Sequence, residues 1–265
     1  MNKIQEALIA IHKLDRVFVK MDKSSLHPLS WSLVSLVFLI TVISFNKYNL
    51  LGVLSLFIFI LVNYIYYELS LKEAFKRLYP LMLLSSFVGV LNPFFDDKEI
   101  FNLDGIIITA GFISLLTLFF KSVLCLLATN LLFHAIGMNG ICYSLKCIHV
   151  PSVLISMLYL MYRYLLVLLK EINNMYQSYL LRAPNQKGIA FKYWGVFIGQ
   201  LLLRTITRAQ SIYQSMLLRG YKGDFYLENK AVNVNVSFVY VIVWCTIFIV
   251  LRNYNVLKAT GDLFI

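Results

Sequence analysis

Tyr176-Gln177-Ser178-Tyr179-Leu180-Leu181-Arg182-Ala183 returns 37 positions later as Tyr213-Gln214-Ser215-Met216-Leu217-Leu218-Arg219-Gly220, with six of the eight residues identical. Each copy closes on an arginine beside a helix stopper. Pro184 disfavours helical geometry at Ala183, and Gly220 occupies the usual position just past a helix end. Upstream, Arg163, Lys170, Asn174, Ser178 and Arg182 recur at steps of seven, four, four and four, which places them on one helix stripe. Leu158, Met161, Tyr162, Leu165, Leu169, Ile172, Met175 and Tyr179 fill much of the remainder. The second copy ends a similar helix, with Arg204, Arg208, Ser211, Ser215 and Arg219 polar and Leu201, Leu202, Ile206, Ile212, Met216 and Leu217 apolar. Between the two, Gly188 to Gly199 reads as a shorter apolar piece containing Trp194.

The rest of the chain is membrane-like. It is 60% hydrophobic and 14% charged, against roughly 25% charged for an average soluble domain, and its mean hydropathy is +0.74. Residues 24–46, 48–67, 78–95 and 231–251 lack Asp, Glu, Lys and Arg, and 105–145 is interrupted only by Lys121. About 20 apolar residues cross a ~30 Å hydrocarbon core. The fold class is therefore all-α and polytopic, with about five transmembrane helices near 29–45, 49–67, 78–93, 105–136 and 236–251. Pro80 falls in the first turn of the third, where its missing N–H is tolerated, and Glu68 to Arg77 reads as the loop before it. Residues 1–23 lack a continuous apolar core, so they read as a polar segment with Ile4, Leu8, Ile11 and Leu14 at helical spacing, not as a cleavable signal.

Charge sets the orientation. Residues 138–222 hold ten Lys/Arg against one acid, Glu171, whereas the loop at 92–104 carries Asp96, Asp97, Glu99 and Asp104 against Lys98. The positive-inside rule puts 138–222 in the cytoplasm and 92–104 outside, so the basic excess requires no nucleic acid. Two full spans between Gly105 and Ile136 would reverse this unless 152–169 crossed back. That crossing would bring Arg163 to mid-bilayer at a cost of ~2.5–3.5 kcal/mol. One long or broken helix avoids the cost.

An arginine in the last turn of a helix gains at most ~1 kcal/mol from the macrodipole. Two copies of the same tip imply two equivalent docking events, and the planar guanidinium suits bidentate capture of a carboxylate or carbonyls. Cys125, Cys142, Cys147 and Cys245 show no framework spacing and read as packed thiols. His134, Cys142, Cys147 and His149 match no standard ligand pattern, so no metal is assigned. No P-loop string is present either. Two other classes compete. An intramembrane lipid- or prenyl-transferring enzyme would rest on Asp96, Asp97 and Asp104, a single acidic motif in an outer loop. A stand-alone carrier or channel would rest on Thr41, Asn63, Thr117, Thr129 and Asn130, sparse polar residues in otherwise apolar spans.

Met161-Tyr162-Arg163-Tyr164, Arg204-x-x-x-Arg208-Ala209-Gln210-x-x-Tyr213 and Met216-Leu217-Leu218-Arg219-Gly220-Tyr221-x-Gly223 resemble the transmembrane T component of energy-coupling factor (ECF) transporters, the CbiQ/EcfT family. The likeness is strongest over 150–223. Ser24-x-Leu26-His27-x-Leu29 is similar to the family's N-terminal start and leans toward its cobalt/nickel branch, although the proline and basic residues that follow in the family are missing. The resemblance implies a domain plan of 1–137 (N-terminal segment and spans), 138–223 (cytoplasmic coupling helices) and 224–265 (last span and tail). It implies a non-enzymatic, multi-pass cell-membrane subunit that couples two ATPase subunits to vitamin or cobalt/nickel uptake by a substrate-binding S component. ATP and Mg would be bound by the partners, and none by this chain. Carried over by motif, Leu181-Arg182-Ala183 and Leu218-Arg219-Gly220 are the ATPase-docking residues; the family commonly has alanine where Leu181 and Leu218 stand. Arg204 and Arg208 match family positions, with a structural or phospholipid-headgroup role open. Arg163 is expected to pair with Glu171 or to meet phospholipid.

Overall fold

The computed structural model describes residues 26–46, 49–90, 99–103, 106–183, 188–223 and 234–253. Among these, eight α-helices account for nearly all regular structure: α1 (Pro28–Ser44), α2 (Leu50–Ser55), α3 (Phe57–Tyr66), α4 (Leu71–Gly89), α5 (Ala110–Cys147), α6 (Ser152–Arg182), α7 (Trp194–Leu218) and α8 (Val234–Asn253). A two-stranded antiparallel hairpin, β1 (Glu99–Leu103) and β2 (Ile106–Thr109), precedes α5 with Leu103 opposite Ile106. The chain is an all-α membrane protein. Gly111–Cys147, Ser152–Arg182 and Val234–Asn253 are long and apolar enough to cross a bilayer, and Pro28–Ser44, Leu50–Tyr66 (α2 with α3) and Leu78–Phe87 (within α4) are shorter apolar helical stretches. The N-terminal segment with Ile4, Leu8, Ile11 and Leu14, and Asp96, Asp97, Asp104, Pro184 and Lys187, lie outside the described residues.

Contacts divide the chain into two compact units. Of the described residues, one holds 26–137 and 234–253, and the other holds 138–223. In the first, aromatic side chains interlock from α1, α3 and α8. The Phe59 ring meets Phe38 at 4.7 Å and Trp244 at 4.6 Å, and Trp31 meets both Tyr67 and Tyr240 at 5.4 Å. Val34, Phe38, Leu56, Ile60 and Phe248 are fully buried around them. Lipid tails are as apolar as leucine, so helices in a bilayer are specified by packing and by a few interhelical hydrogen bonds. Here Tyr240 Oη donates to Asn63 Oδ1 at 3.0 Å, the His27 N–H donates to Ser237 Oγ at 2.9 Å, and Ser122 Oγ donates to Ser85 Oγ at 2.8 Å. Lys121, the charge inside the long apolar run, donates to the carbonyls of Ile43 and Phe45 at the end of α1. It thereby satisfies carbonyls that a helix terminus leaves without partners.

Four sequence expectations change. The third apolar helix begins at Leu71, not at 78, and Pro80 is its tenth residue. Ala74, Leu78 and Met82 form a buried face at steps of four that extends the helix back through the expected loop. The segment expected as one span at 49–67 is two helices meeting at Leu56. Ile106–Thr109 pairs as a strand, a reading that its β-branched run supports. The apolar piece read at Gly188 to Gly199 divides: Phe191–Tyr193 is a single 3-10 turn, and Trp194 opens α7, which continues to Leu218.

Helical geometry in α5 breaks once, at Gly137, with φ 61° and ψ −177°. Only glycine occupies that region without strain of about 1–3 kcal/mol. Gly137→Ala is expected to lower the melting temperature in detergent. Gly195→Ala, at a helical glycine with open space around it, is expected to leave it unchanged or raise it.

Candidate functional site

α6 and α7 run antiparallel. Ser156 Oγ near the start of α6 donates to the carbonyl of Gly223, just past α7, at 3.0 Å. Glu171 and Arg204 meet at 2.6 Å, and the rings of Tyr179 and Tyr193 stand 6.3 Å apart where α6 ends and α7 is about to begin. This order places the two copies of the repeated string at opposite ends of the pair. With a rise of 1.5 Å per residue over the 25 residues of α7, the tips are on the order of 35 Å apart.

Both tips are exposed. Leu181 and Leu218 keep 84% and 90% of their surface open, and Arg182 and Arg219 are exposed beside them. Two leucines this open gain nothing for the fold. The tips differ in how the chain leaves. Arg182 is the last residue of α6, and Ala183 turns away at φ −132°. After α7, Arg219 is the C-cap and Gly220 takes φ 84°. The Tyr221 N–H then donates to the Met216 carbonyl, and the Gly220 N–H to that of Leu217. This double closure is the Schellman motif, which needs the left-handed conformation at its glycine.

The supporting arginines separate. Glu171 is held by Arg204 from α7, not by Arg163 eight residues earlier on its own helix. A step of eight is more than two turns, beyond the three- and four-residue spacings at which side chains meet on a helix. Arg163 instead places its guanidinium carbon 6.0 Å from the centre of the Tyr164 ring. Arg208, one turn on from Arg204, is exposed and has no carboxylate partner among the described residues. The Glu171–Arg204 side chains remain 23% and 58% exposed, and pairs of that kind contribute about 0–1 kcal/mol. Glu171→Gln is therefore expected to shift the melting temperature in detergent only slightly, and a large drop would show the pair to be structural. The Ser156–Gly223 tie escaped sequence reading; a lone serine on an apolar helix face is the signal that would have found it.

His149 sits at φ 63° and closes the end of α5: its N–H donates to the Lys146 carbonyl and that of Val150 to Leu145. Cys142 is fully buried. Among the described residues, no group of three or more His, Cys, Asp or Glu is arranged to hold a metal ion.

The sequence profile of the CbiQ family, described as cobalt transport protein, matches residues 22–230. The chain belongs to that family, which comprises the T components of ECF transporters and is a family of transporter components, not of enzymes. It is also 33% identical over 88 residues to an uncharacterized protein of Methanocaldococcus jannaschii. That match covers 32% of this chain and 30% of the relative, so the chain spans under a third of that protein's length.

Proposed function

We propose that this chain is the coupling subunit of an ECF-type importer, in which Leu181-Arg182-Ala183 and Leu218-Arg219-Gly220 dock two ATPase subunits from the cytoplasmic side. One observation carries the reading: the same leucine–arginine tip, open at both ends of an antiparallel helix pair, offers two like contacts to two like partners. Binding and hydrolysis of ATP with Mg belong to those partners, whose closure moves the tips relative to each other. α6 and α7 transmit that movement to a membrane-embedded S component that binds the cargo. Membership in a cobalt transport family favours a transition-metal ion, cobalt or nickel, over a vitamin as cargo. The charge excess of 138–222 favours a cytoplasmic position for the pair. The test is purification of the tagged chain from its native membranes followed by mass spectrometry. Nucleotide-hydrolysing subunits in a 2:1 ratio to the chain, with a second polytopic membrane protein, are expected; recovery of the chain alone from intact, active membranes contradicts the reading.

A further inference from the structure

α6 and α7 are open helices: α6 buries only Ile155, Ser156 and Met175, and α7 buries no residue. The serine is the odd member of that trio. Its single hydroxyl proton is shared by two carbonyls, that of Ser152 one turn back at 2.8 Å and that of Gly223 at 3.0 Å. The turn that ends α7 brings the Gly223 carbonyl there. The N–H groups of Arg219, Gly220 and Tyr221 donate back to the carbonyls of Met216 and Leu217. Gly223 then takes φ 99°, a left-handed value that favours glycine. The tie closes one end of an apolar groove of about 500 Å3 between the two helices, where Met157, Met216 and Tyr221 line it.

We propose that Ser156 is a positioning residue: it fixes the turn behind the Arg219 tip to the start of α6, so that displacement of this tip reaches α6 directly and not only along α7. The role rests on the reading of the tips as ATPase-docking ends. Three observations carry it. The tied carbonyl lies four residues past Arg219, and the intervening amides are held by the last turn of α7, so tip and tie move as one piece. The hydroxyl also does nothing for α6 by itself. A serine bonded only to the carbonyl four residues back slightly destabilises a helix, and the bond to Gly223 is what its burial secures. Finally, the two like tips are mounted differently. After α6 the Ala183 N–H returns to the Tyr179 carbonyl, and the Tyr179 ring stands 6.3 Å from that of Tyr193. A ring contact tolerates sliding, whereas a hydrogen bond is directional. The Arg219 tip is therefore the one coupled stiffly to the neighbouring helix.

Two readouts test the tie. On the purified chain in detergent, hydrogen exchange of the 219–223 amides is expected to quicken about two- to tenfold in Ser156→Ala, the weight of one neutral hydrogen bond. The melting temperature is expected to hold, because water reaches the half-exposed Gly223 carbonyl. In the assembled complex the same variant is expected to keep its ATPase subunits and their hydrolysis, while transport per ATP falls by a similar factor. Ser156→Thr keeps a hydroxyl that can bond as serine does and is expected to restore both readouts. Gly223→Ala disturbs the tie from the other side: an added Cβ meets open space, so the change acts through the backbone. The double variant Ser156→Ala with Gly223→Ala is expected to fall no further than the worse single, since both remove one interaction. Unchanged exchange, unchanged transport per ATP or additive losses in the double variant overturn the proposal. Loss of ATPase recovery in Ser156→Ala overturns it too, by making the serine part of docking itself. A wild-type chain that recovers no ATPase yet shows the exchange response overturns the docking reading instead, and with it the role in coupling.

Discussion

Arg182→Ala combined with Arg219→Ala is expected to abolish recovery of ATPase subunits with this chain and to stop transport, while the protein still inserts and melts as before. Each guanidinium is exposed in the free chain, so its removal costs the fold no more than a macrodipole contact, ~0.3–1 kcal/mol at low ionic strength. Docking is different. Truncating one partner of a hydrogen-bonded charge pair that an interface buries typically costs about 2–5 kcal/mol, or roughly 30- to 5,000-fold in affinity. The single variants are expected to keep partial recovery because the second tip still holds a subunit. The measurement is co-purification with ATPase activity in the eluate, set beside the melting temperature of the chain alone. Undiminished recovery of the double variant removes the docking role, whereas a collapse of the melting temperature shows the arginines to be structural.

The second large effect is expected at the neighbouring leucines. Leu181 and Leu218 are 84% and 90% exposed, and covering a leucine side chain gains about 1.5–3 kcal/mol. An open leucine at each tip therefore has nothing to contribute until a partner closes over it. Leu181→Asp with Leu218→Asp removes that gain twice and adds the cost of desolvating two carboxylates next to Arg182 and Arg219. Loss of partner recovery comparable to that of the arginine pair is expected, with monomer stability unchanged. Leu181→Ala with Leu218→Ala is expected to retain measurable docking, since it leaves a contact of the size common in the family. If the aspartate pair binds as well as the wild type, the leucines lie outside the interface.

Much of this was legible in sequence because the informative residues act locally. Uncharged runs of bilayer length gave the apolar helices, a glycine after Arg219 gave the end of α7, and stripes at steps of four gave α6 and α7. The failures arose where tertiary packing overrode a local rule. Pro80 marked a helix start on local grounds, but the buried face through Ala74 and Leu78 carried α4 back to Leu71. Glu171 was assigned a partner on its own helix, and the antiparallel neighbour supplied Arg204 instead. Nothing in one sequence encodes which helix faces which, so the groove between α6 and α7 was beyond reach, and Ser156 could be noticed as a lone polar residue but not matched to Gly223. The repeated tip was the reverse case: similarity between two parts of one chain needs no knowledge of packing to be seen.

The most direct test is photo-crosslinking from the two leucine positions in the assembled complex. A photoreactive amino acid is placed at 181 or at 218 in the full-length chain, irradiated in native membranes, and its adducts are identified by mass spectrometry. An adduct to a nucleotide-hydrolysing subunit from each position, at equivalent sites on that subunit or on its close homologue, is the predicted result. Adducts from either position only to lipid, to an external protein or to this chain itself would contradict the claim that the twin tips grip a pair of ATPases.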